Sequence, residues 1–470
     1  MLSDQLKHAL KRAVVNSPIA PAIRILRPAR PLDEAIRHGR RFGWSQAAQS
    51  FLAAPFRDAP SVLNALREDI NRDYEVELLF TEVRKQLLLN PPSAALHQEL
   101  VAALIQQCAN NEYVWFASEA EQHQLRQTLN GDDVAVRALY QPAHTLTGDA
   151  PGVVGKTLRG HRAEHAAEIR IKDAIPTFAP ISDPTSMQVR AMYEAFPYPR
   201  WISLVKHAHE LRVRWIREFF QQPLPILDGA CDILMPGCGT GRKAIQMALA
   251  FPKANVLCTD LSRSSLAYMM RMARRYGVAN IEPLQMDIYD LAGFDRTFDF
   301  IECSGVLHHL GDPVRGGIAL VTRLRQGGIL HFSMYSELAR REVVRHRQQI
   351  GEGRIPALSA DELRAYRRKV LLDEPECIDK LPTPGDFFDA SRCKDLIAHP
   401  NEYRYTVAGI AEYLQRLDMP FMGFQRPQLN RHAYWTPYPN DPRDLAQWAA
   451  FEQANPDAFE NLYDVWTIKP

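Results

Sequence analysis

Asp232-Ile-Leu-Met-Pro-Gly-Cys-Gly-Thr-Gly-Arg242 decides the fold class of this chain. An apolar run stops at three glycines set at alternate positions, Gly237, Gly239 and Gly241, and a helix-like stretch from Lys243 to Phe251 follows. A strand that turns abruptly into a helix needs residues without a Cβ where backbone approaches a ligand closely. The first turn of the helix adds unpaired N–H groups and a dipole that favour an anionic group of that ligand. The stretch therefore predicts an open α/β sheet with a nucleotide-like cofactor at the end of its first strand.

The following residues repeat this strand-and-helix rhythm. Asn255-Val-Leu-Cys-Thr-Asp260 reads as a second strand whose terminal acid lies nineteen residues after Gly241. A carboxylate there can accept both ribose hydroxyls of a nucleoside. Ser262 is a fitting N-cap for a helix carrying Leu266, Met269, Met270 and Ala273 at helical spacing and closed by Gly277. Ile281 to Asp287 places another acid at the end of a third strand, and Phe298 to Cys303 is a fourth. Ser304-Gly-Val-Leu-His-His-Leu310 follows, then a helix reaching Leu324-Arg-Gln-Gly-Gly328 and a fifth strand from Ile329 to Ser333. Farther on, Val407 to Leu417 reads as a helix, Phe421 to Gln425 as a strand, and Tyr463 to Ile468 as a final antiparallel strand.

This order resembles the class I S-adenosylmethionine-dependent methyltransferases. The resemblance implies a seven-stranded mixed Rossmann-like sheet with helices on both faces, and S-adenosyl-L-methionine as cofactor. It implies that Gly237, Gly239 and Gly241, with Cys238 and Thr240 between them, hold the methionine part. Asp260 with Leu261 would hold ribose, Asp287 with Ile288 the adenine amino group, and Cys303 to His309 would line the methyl-donor pocket. One departure stands out. The family often has an acid two residues before the first glycine, helping to hold the methionine amino group, and this chain has Met235. Another residue must then do so. Gly239-Thr-Gly-Arg-Lys-Ala244 also fits the G-x-G-x-x-A loop of NAD(P)-dependent oxidoreductases, but that match leaves the third-strand acid and His308-His309 unexplained.

The resemblance extends beyond the loop. Val189-Arg-Ala-Met-Tyr-Glu-Ala-Phe-Pro-Tyr-Pro-Arg-Trp201 looks like the Y-E-x-x-P-Y-P-R-W segment of a bacterial subgroup with a helical, often tetratricopeptide-bearing, N-terminal region. Asn111-Glu-Tyr-Val114, Tyr335 to Arg340 and His399 to Thr406 resemble further segments of that subgroup. No repeat at a fixed period is found in this chain.

Composition fits a soluble, cytoplasmic enzyme. The 470 residues include 56 basic and 55 acidic ones, a balance that argues against a nucleic-acid substrate. No apolar run approaches the roughly 20 residues of a membrane span. Met1 to Arg12 lacks the apolar core of a signal peptide and reads as a solvated first helix. Seven scattered cysteines without a C-x-x-C pair indicate a reducing compartment, no zinc framework and no metal site. His161-Arg-Ala-Glu-His165 matches a zinc-peptidase pattern, but it has no companion motif.

By texture the chain divides into a helical N-terminal domain over 1–135, a Pro/Gly-rich linker or wrapping arm over 136–186, and a methyltransferase domain over 187–470. The first shows Leu63, Leu66 and Ile70, then Leu78, Leu79, Val83 and Leu87, at helical intervals. It could serve homodimer contacts or acceptor docking. An insertion over 336–400 interrupts the last domain before its final strands, where it could roof the acceptor site. Its basic runs (Arg340-Arg341, Arg345, Arg347, Arg367-Arg368-Lys369), interspersed with acids, read as a solvated helix face.

Methyl transfer from a sulfonium is an in-line displacement that depends on alignment; a base is needed only when the acceptor must lose a proton. His308, His309, Tyr335, His399 and Glu402 are the candidates, with at most one of the adjacent histidines expected to face substrate. Tyr193, Tyr198, Arg200 and Trp201 could cover the methionine end or simply anchor linker to domain. The acceptor, a small metabolite or a protein or peptide side chain, is left open. A SAM-binding interaction module without turnover is the non-catalytic alternative, supported by Met235.

Overall fold

The computed structural model describes residues 30–54, 60–90, 97–127, 134–204, 216, 219–220, 229–425, 439, 441–456 and 458–470. The expected first helix at Met1 to Arg12 lies outside them. Contacts gather the chain into two compact units. One comprises residues 1–166, 200–203 and 357–396; the other comprises 167–199, 204–356 and 397–470.

Helices dominate the first unit. Pro60–Glu68 buries Leu63 and Leu66, and Tyr74–Leu89, capped by the Asp73 carboxylate, buries Leu78, Leu79, Val83 and Leu87 as their spacing predicts. Gln98–Asn110 adds Leu100, Leu104 and Ile105. The stretch read as a linker contains a 23-residue helix, Gly152–Ala174. Its prolines cluster outside that helix, whose two further glycines, Gly155 and Gly160, interrupt nothing. The zinc-peptidase pattern lies on it with each end otherwise engaged. His161 bonds Gln106 at 2.9 Å, His165 stacks on His144 at 3.5 Å, and Arg162 donates to the carbonyls of Ala143, Leu146 and Gly148.

The insertion does not form a lobe of its own. Residues 357–396 fold into the first unit, where Arg367 donates to both Glu77 oxygens (3.0 and 2.9 Å) and to the carbonyls of Val114 and Phe387. Arg364 Nε donates to the Tyr113 carbonyl at 2.8 Å. Arg340 in the second unit is likewise fully buried, so the solvated-face reading fails for both arginines. Their partners lie far away in sequence, which a local charge pattern cannot reveal.

The second unit is built on one sheet. Its strands are β1 (Asp232–Pro236), β2 (Asn255–Asp260), β3 (Ile281–Gln285), β4 (Phe298–Cys303), β5 (Leu324–Ser336), β6 (Arg404–Tyr405), β7 (Gly423–Phe424) and β8 (Leu462–Ile468). The order is β3-β2-β1-β4-β5-β8-β7, with β6 paired to β5. β1 to β5 run parallel, and β8 is antiparallel between β5 and β7, as expected of a final strand in this fold. Two features differ from the sequence reading. β6, too short for any pattern to reveal, makes eight strands rather than seven. β5 begins at Leu324, because Gly327 and Gly328 exchange main-chain hydrogen bonds with Lys469 beyond β8.

Alternation along the strands sorts side chains to two faces. Ile301 and Cys303 pack with Leu330, Phe332, Met334, Tyr463 and Val465 in the main apolar core. Phe300 and His331 lie on the other face against Trp466, and Glu302 shares that face through its bond to His331. The sheet thus opens its parallel strand ends, where ligands bind in folds of this kind, at Pro236, Asp260, Gln285 and Cys303.

Candidate functional site

The glycine loop following β1 is held in a conformation that other residues resist. Gly237, Gly239 and Gly241 have φ of 62, 55 and 78°. A Cβ on Gly239 would lie 2.3 Å from the Tyr198 carbonyl oxygen, and one on Gly241 would lie 2.1 Å from Met269 Cγ. Met269 comes from the helix Arg263–Arg275, which Ser262 caps as its sequence position predicts. The loop is further tied by the Cys238 N–H, which donates to Thr259 O at 3.1 Å.

Asp260 fastens the loop to β2. Its carboxylate accepts the Gly239 N–H and the Ser262 N–H, each at 2.8 Å. Burial pushes this carboxyl up to about 6, against the pull of those two amides; the nearby Glu194 charge adds to the rise. Each carboxylate oxygen accepts about two hydrogen bonds, so acceptor capacity remains for a diol. Asp287, also buried, caps the turn Ile288–Gly293 by accepting the Tyr289 N–H at 3.1 Å. The expected ribose and adenine acids therefore stand at the ends of adjacent paired strands.

The aromatic segment before β1 is distributed between the units. Tyr193 and Tyr198 belong to the second, with ring centres 6.0 Å apart. Thr240 donates its N–H to Tyr198 O (2.9 Å) and its hydroxyl to Pro199 O (2.6 Å), and Ser262 Oγ donates to Tyr193 O (3.0 Å). The backbone of this segment thus buttresses the loop. Arg200 and Trp201 fold with the first unit, where the Arg200 carbonyl accepts from Arg392 and its charge faces Glu112.

Four of the five candidates for chemistry, His308, His309, Tyr335 and His399, meet at the end of β5. His308 stacks on Tyr335 at 3.6 Å, His309 stacks on His399 at 3.6 Å, and the two adjacent histidine rings are 4.3 Å apart. Both adjacent histidines thus enter one cluster, because the single turn Leu307–His309 packs both against Tyr335. Tyr193 reaches the same cluster, 5.9 Å from His399. Beneath it, Arg340 lies 3.5 Å over the Tyr335 ring and grips Glu402 with two bonds of 3.0 and 2.8 Å. Burial raises the Glu402 carboxyl, but Arg340 and Arg347 outweigh it and hold it below the ordinary range. Burial lowers His309 to about 4 and takes His308 and His399 well below their usual values, so all three rings are neutral near pH 7. His309 Nδ1 lies 2.8 Å from the Asn401 carbonyl oxygen. A carbonyl only accepts, so the proton is on Nδ1 and the lone pair on Nε2.

Sequence reasoning missed a buried polar group at the end of β4. Glu302 accepts from Ser304 Oγ (2.5 Å) and Lys243 Nζ (3.3 Å) and pairs with His331 Nδ1 (2.9 Å). The available signal was an acid in phase with Phe298 and Phe300 in an otherwise apolar strand. Asn401, whose side-chain amide donates to the carbonyls of His309 and Leu310, gave no signal of its own.

A parallel sheet with a left-handed glycine loop and two strand-end acids makes a Rossmann-like α/β domain of the kind the sequence predicts. Comparison with known proteins agrees: the family model described as "Methyltransferase domain" matches residues 233–328, covering β1 through the start of β5. An uncharacterised protein of Synechococcus sp. is 31% identical over 53% of this chain and 62% of its own length. Trans-aconitate 2-methyltransferase of Deinococcus radiodurans is 37% identical over 20% of this chain and 34% of its own length. The chain therefore spans less than two thirds of these relatives. Among solved structures, PKMT2 from Rickettsia typhi in complex with AdoHcy is 17% identical, with a TM-score of 0.40 and coverage of 54% of this chain and 53% of that one. Among the described residues, no helix is long and apolar enough to cross a membrane.

Proposed function

We propose that this chain transfers the methyl group of S-adenosyl-L-methionine to an acceptor reached from the end of β5. The observation that carries the reading is the glycine loop locked onto Asp260, with Asp287 one strand farther along. The cofactor supplies an electrophilic methyl on a sulfonium. Gly237 to Gly241 let the backbone approach its methionine part, Asp260 accepts from the ribose, and Asp287 with Ile288 receives the adenine edge. Cys238, Thr240, Leu261 and Cys303 complete the wall. Tyr193 and Tyr198 close the methionine end, whereas Arg200, folded with the first unit, serves there as an anchor. On the acceptor side His309 offers a neutral imidazole with its lone pair on Nε2, suited to take a proton from a hydroxyl or amine; His308, Tyr335 and His399 shape its surroundings.

The Y-E-x-x-P-Y-P-R-W segment supports placement in the bacterial subgroup with a helical N-terminal region, and we place its action in the cytoplasm. The helical unit then serves acceptor docking or homodimer contacts. Calorimetric titration with S-adenosylmethionine, S-adenosylhomocysteine and NADH, repeated with Asp260→Ala, tests the reading. Binding of the first two, lost in the variant and absent for NADH, is expected; binding of NADH alone would overturn it. Formation of S-adenosylhomocysteine with an acceptor panel separates an enzyme from a binding module.

A further inference from the structure

Five arginines among the described residues are buried: Arg84, Arg340, Arg347, Arg367 and Arg392. An interior guanidinium costs free energy unless an anion answers its charge, and four of the five obey that rule. Arg340 pairs with Glu402 at 2.8 Å, Arg367 with Glu77 at 2.9 Å, Arg392 with Asp389 at 3.5 Å and Arg84 with Glu121 at 3.8 Å. Arg347 does not. Among the described residues no carboxylate lies within ion-pair distance of it, and its one hydrogen bond runs from Nη1 to the His399 carbonyl at 3.0 Å. Its Nε is enclosed and has no partner. This residue belongs to a basic run that reads in sequence as a solvated face, yet it is only 8% exposed.

Its surroundings do not make up the deficit. Glu402 attracts Arg347 from beyond ion-pair distance, but its oxygens already take Arg340 at 3.0 and 2.8 Å and Arg404 at 3.3 Å. Glu352 also acts only through its field. Burial, with the charges of Arg340 and Arg404 adding to it, holds Arg347 below the usual arginine range. The carbonyl that Arg347 does hold belongs to His399, whose ring stacks on His309 at 3.6 Å. Both rings are neutral near pH 7 and neither supplies the missing negative charge. An under-compensated guanidinium therefore stands one residue away from the imidazole proposed to take the acceptor's proton. Its planar fork matches the paired oxygens of a carboxylate or phosphate.

We propose that Arg347 anchors the methyl acceptor through an oxyanion, so that the acceptor is an acidic molecule carrying a carboxylate or phosphate group. This rests on the methyltransferase reading above. The test needs neither the acceptor nor the cofactor. The full chain, isotopically labelled at histidine, is titrated with inorganic phosphate and with acetate at constant ionic strength. The ring signals of His309 and His399, assigned by His309→Asn and His399→Asn, report binding. Saturable shifts with at least one anion are expected in the wild type, and the tighter anion names the acid group. Arg347→Gln keeps a donor for the His399 carbonyl but loses the charge, and should bind that anion roughly ten-fold or more weakly. Arg347→Lys keeps the charge without the fork and should fall between the two, which preserves the comparison if the first variant does not fold. Absence of a saturable shift with both anions in the wild type, or wild-type affinity in either variant, would overturn the assignment. Calorimetric titration with S-adenosylhomocysteine is the separate arm: a wild-type chain that does not bind it would overturn the methyltransferase reading, whereas a folded Arg347→Gln should bind it as the wild type does.

Discussion

Asp260 combines two demands that oppose each other: burial favours its neutral form, while the Gly239 and Ser262 amides favour the carboxylate. The balance leaves it near 6, above the range of an exposed aspartate. Ribose hydroxyls donate, so they bind the charged form. As pH falls through about 6, protonation must be reversed before the cofactor enters, and its affinity should drop by up to tenfold per pH unit below that point. Calorimetry between pH 5 and 8 measures this directly. His309 titrates near 4 and is neutral on both sides of that window, so His309→Asn should keep the same affinity profile. If the profile flattened in His309→Asn, the ring rather than the carboxylate would be the titrating group. The position of Asp260 was legible because it is local: an acid at the tip of the strand after a glycine loop. Glu302 was not, since the bond that holds it buried comes from His331, 29 positions away.

At the level of elements, the glycine loop is where sequence spoke most clearly, and the structure explains why. Any Cβ at Gly239 meets the carbonyl oxygen of Tyr198, a backbone atom that Thr240 N–H already fixes. Gly239→Ala should cost about 1–2 kcal/mol for the left-handed conformation and more for the clash, and should abolish cofactor binding because the loop must move off Tyr198. Gly277→Ala is the control. Its φ is 67°, yet nothing lies within 4 Å of the added Cβ. That change should lower stability by only about 1–2 kcal/mol and leave cofactor affinity unchanged. Thermal unfolding and titration of the two variants separate strain from function; equal loss of binding in both would deny the loop its special role. Elsewhere the elements were harder to read. Residues 152–174 form a helix inside a stretch whose average composition suggested a linker, since Pro and Gly crowd its flanks. β6 escaped notice because two residues cannot show a period, yet it sits beside Tyr335 and Ser336 and brings Glu402 to Arg340.

Across the whole molecule, sequence texture separated a helical half from an α/β half, but it could not show that the chain returns to the helical unit at 357–396. The ties that make this so span great distances: Arg367 to Glu77 is 290 positions, and Arg364 to Tyr113 is 251. Both members of the first pair are buried, at 1% and 3% side-chain exposure, so each depends on the other to offset desolvation. Replacing only one partner leaves a bare charge in the interior. Arg367→Met should therefore destabilise the first unit by about 3–5 kcal/mol, read from urea unfolding. Adding Glu77→Leu removes the stranded carboxylate and should recover part of the loss, with an interaction energy on the order of 0.5–3 kcal/mol. Recovery will be incomplete, because the carbonyls of Val114 and Phe387 lose a donor in either case. Strict additivity of the two changes would mean that Arg367 and Glu77 act separately. The return of 357–396 to the helical unit would then rest on other ties, Arg364 to the Tyr113 carbonyl among them, rather than on this pair.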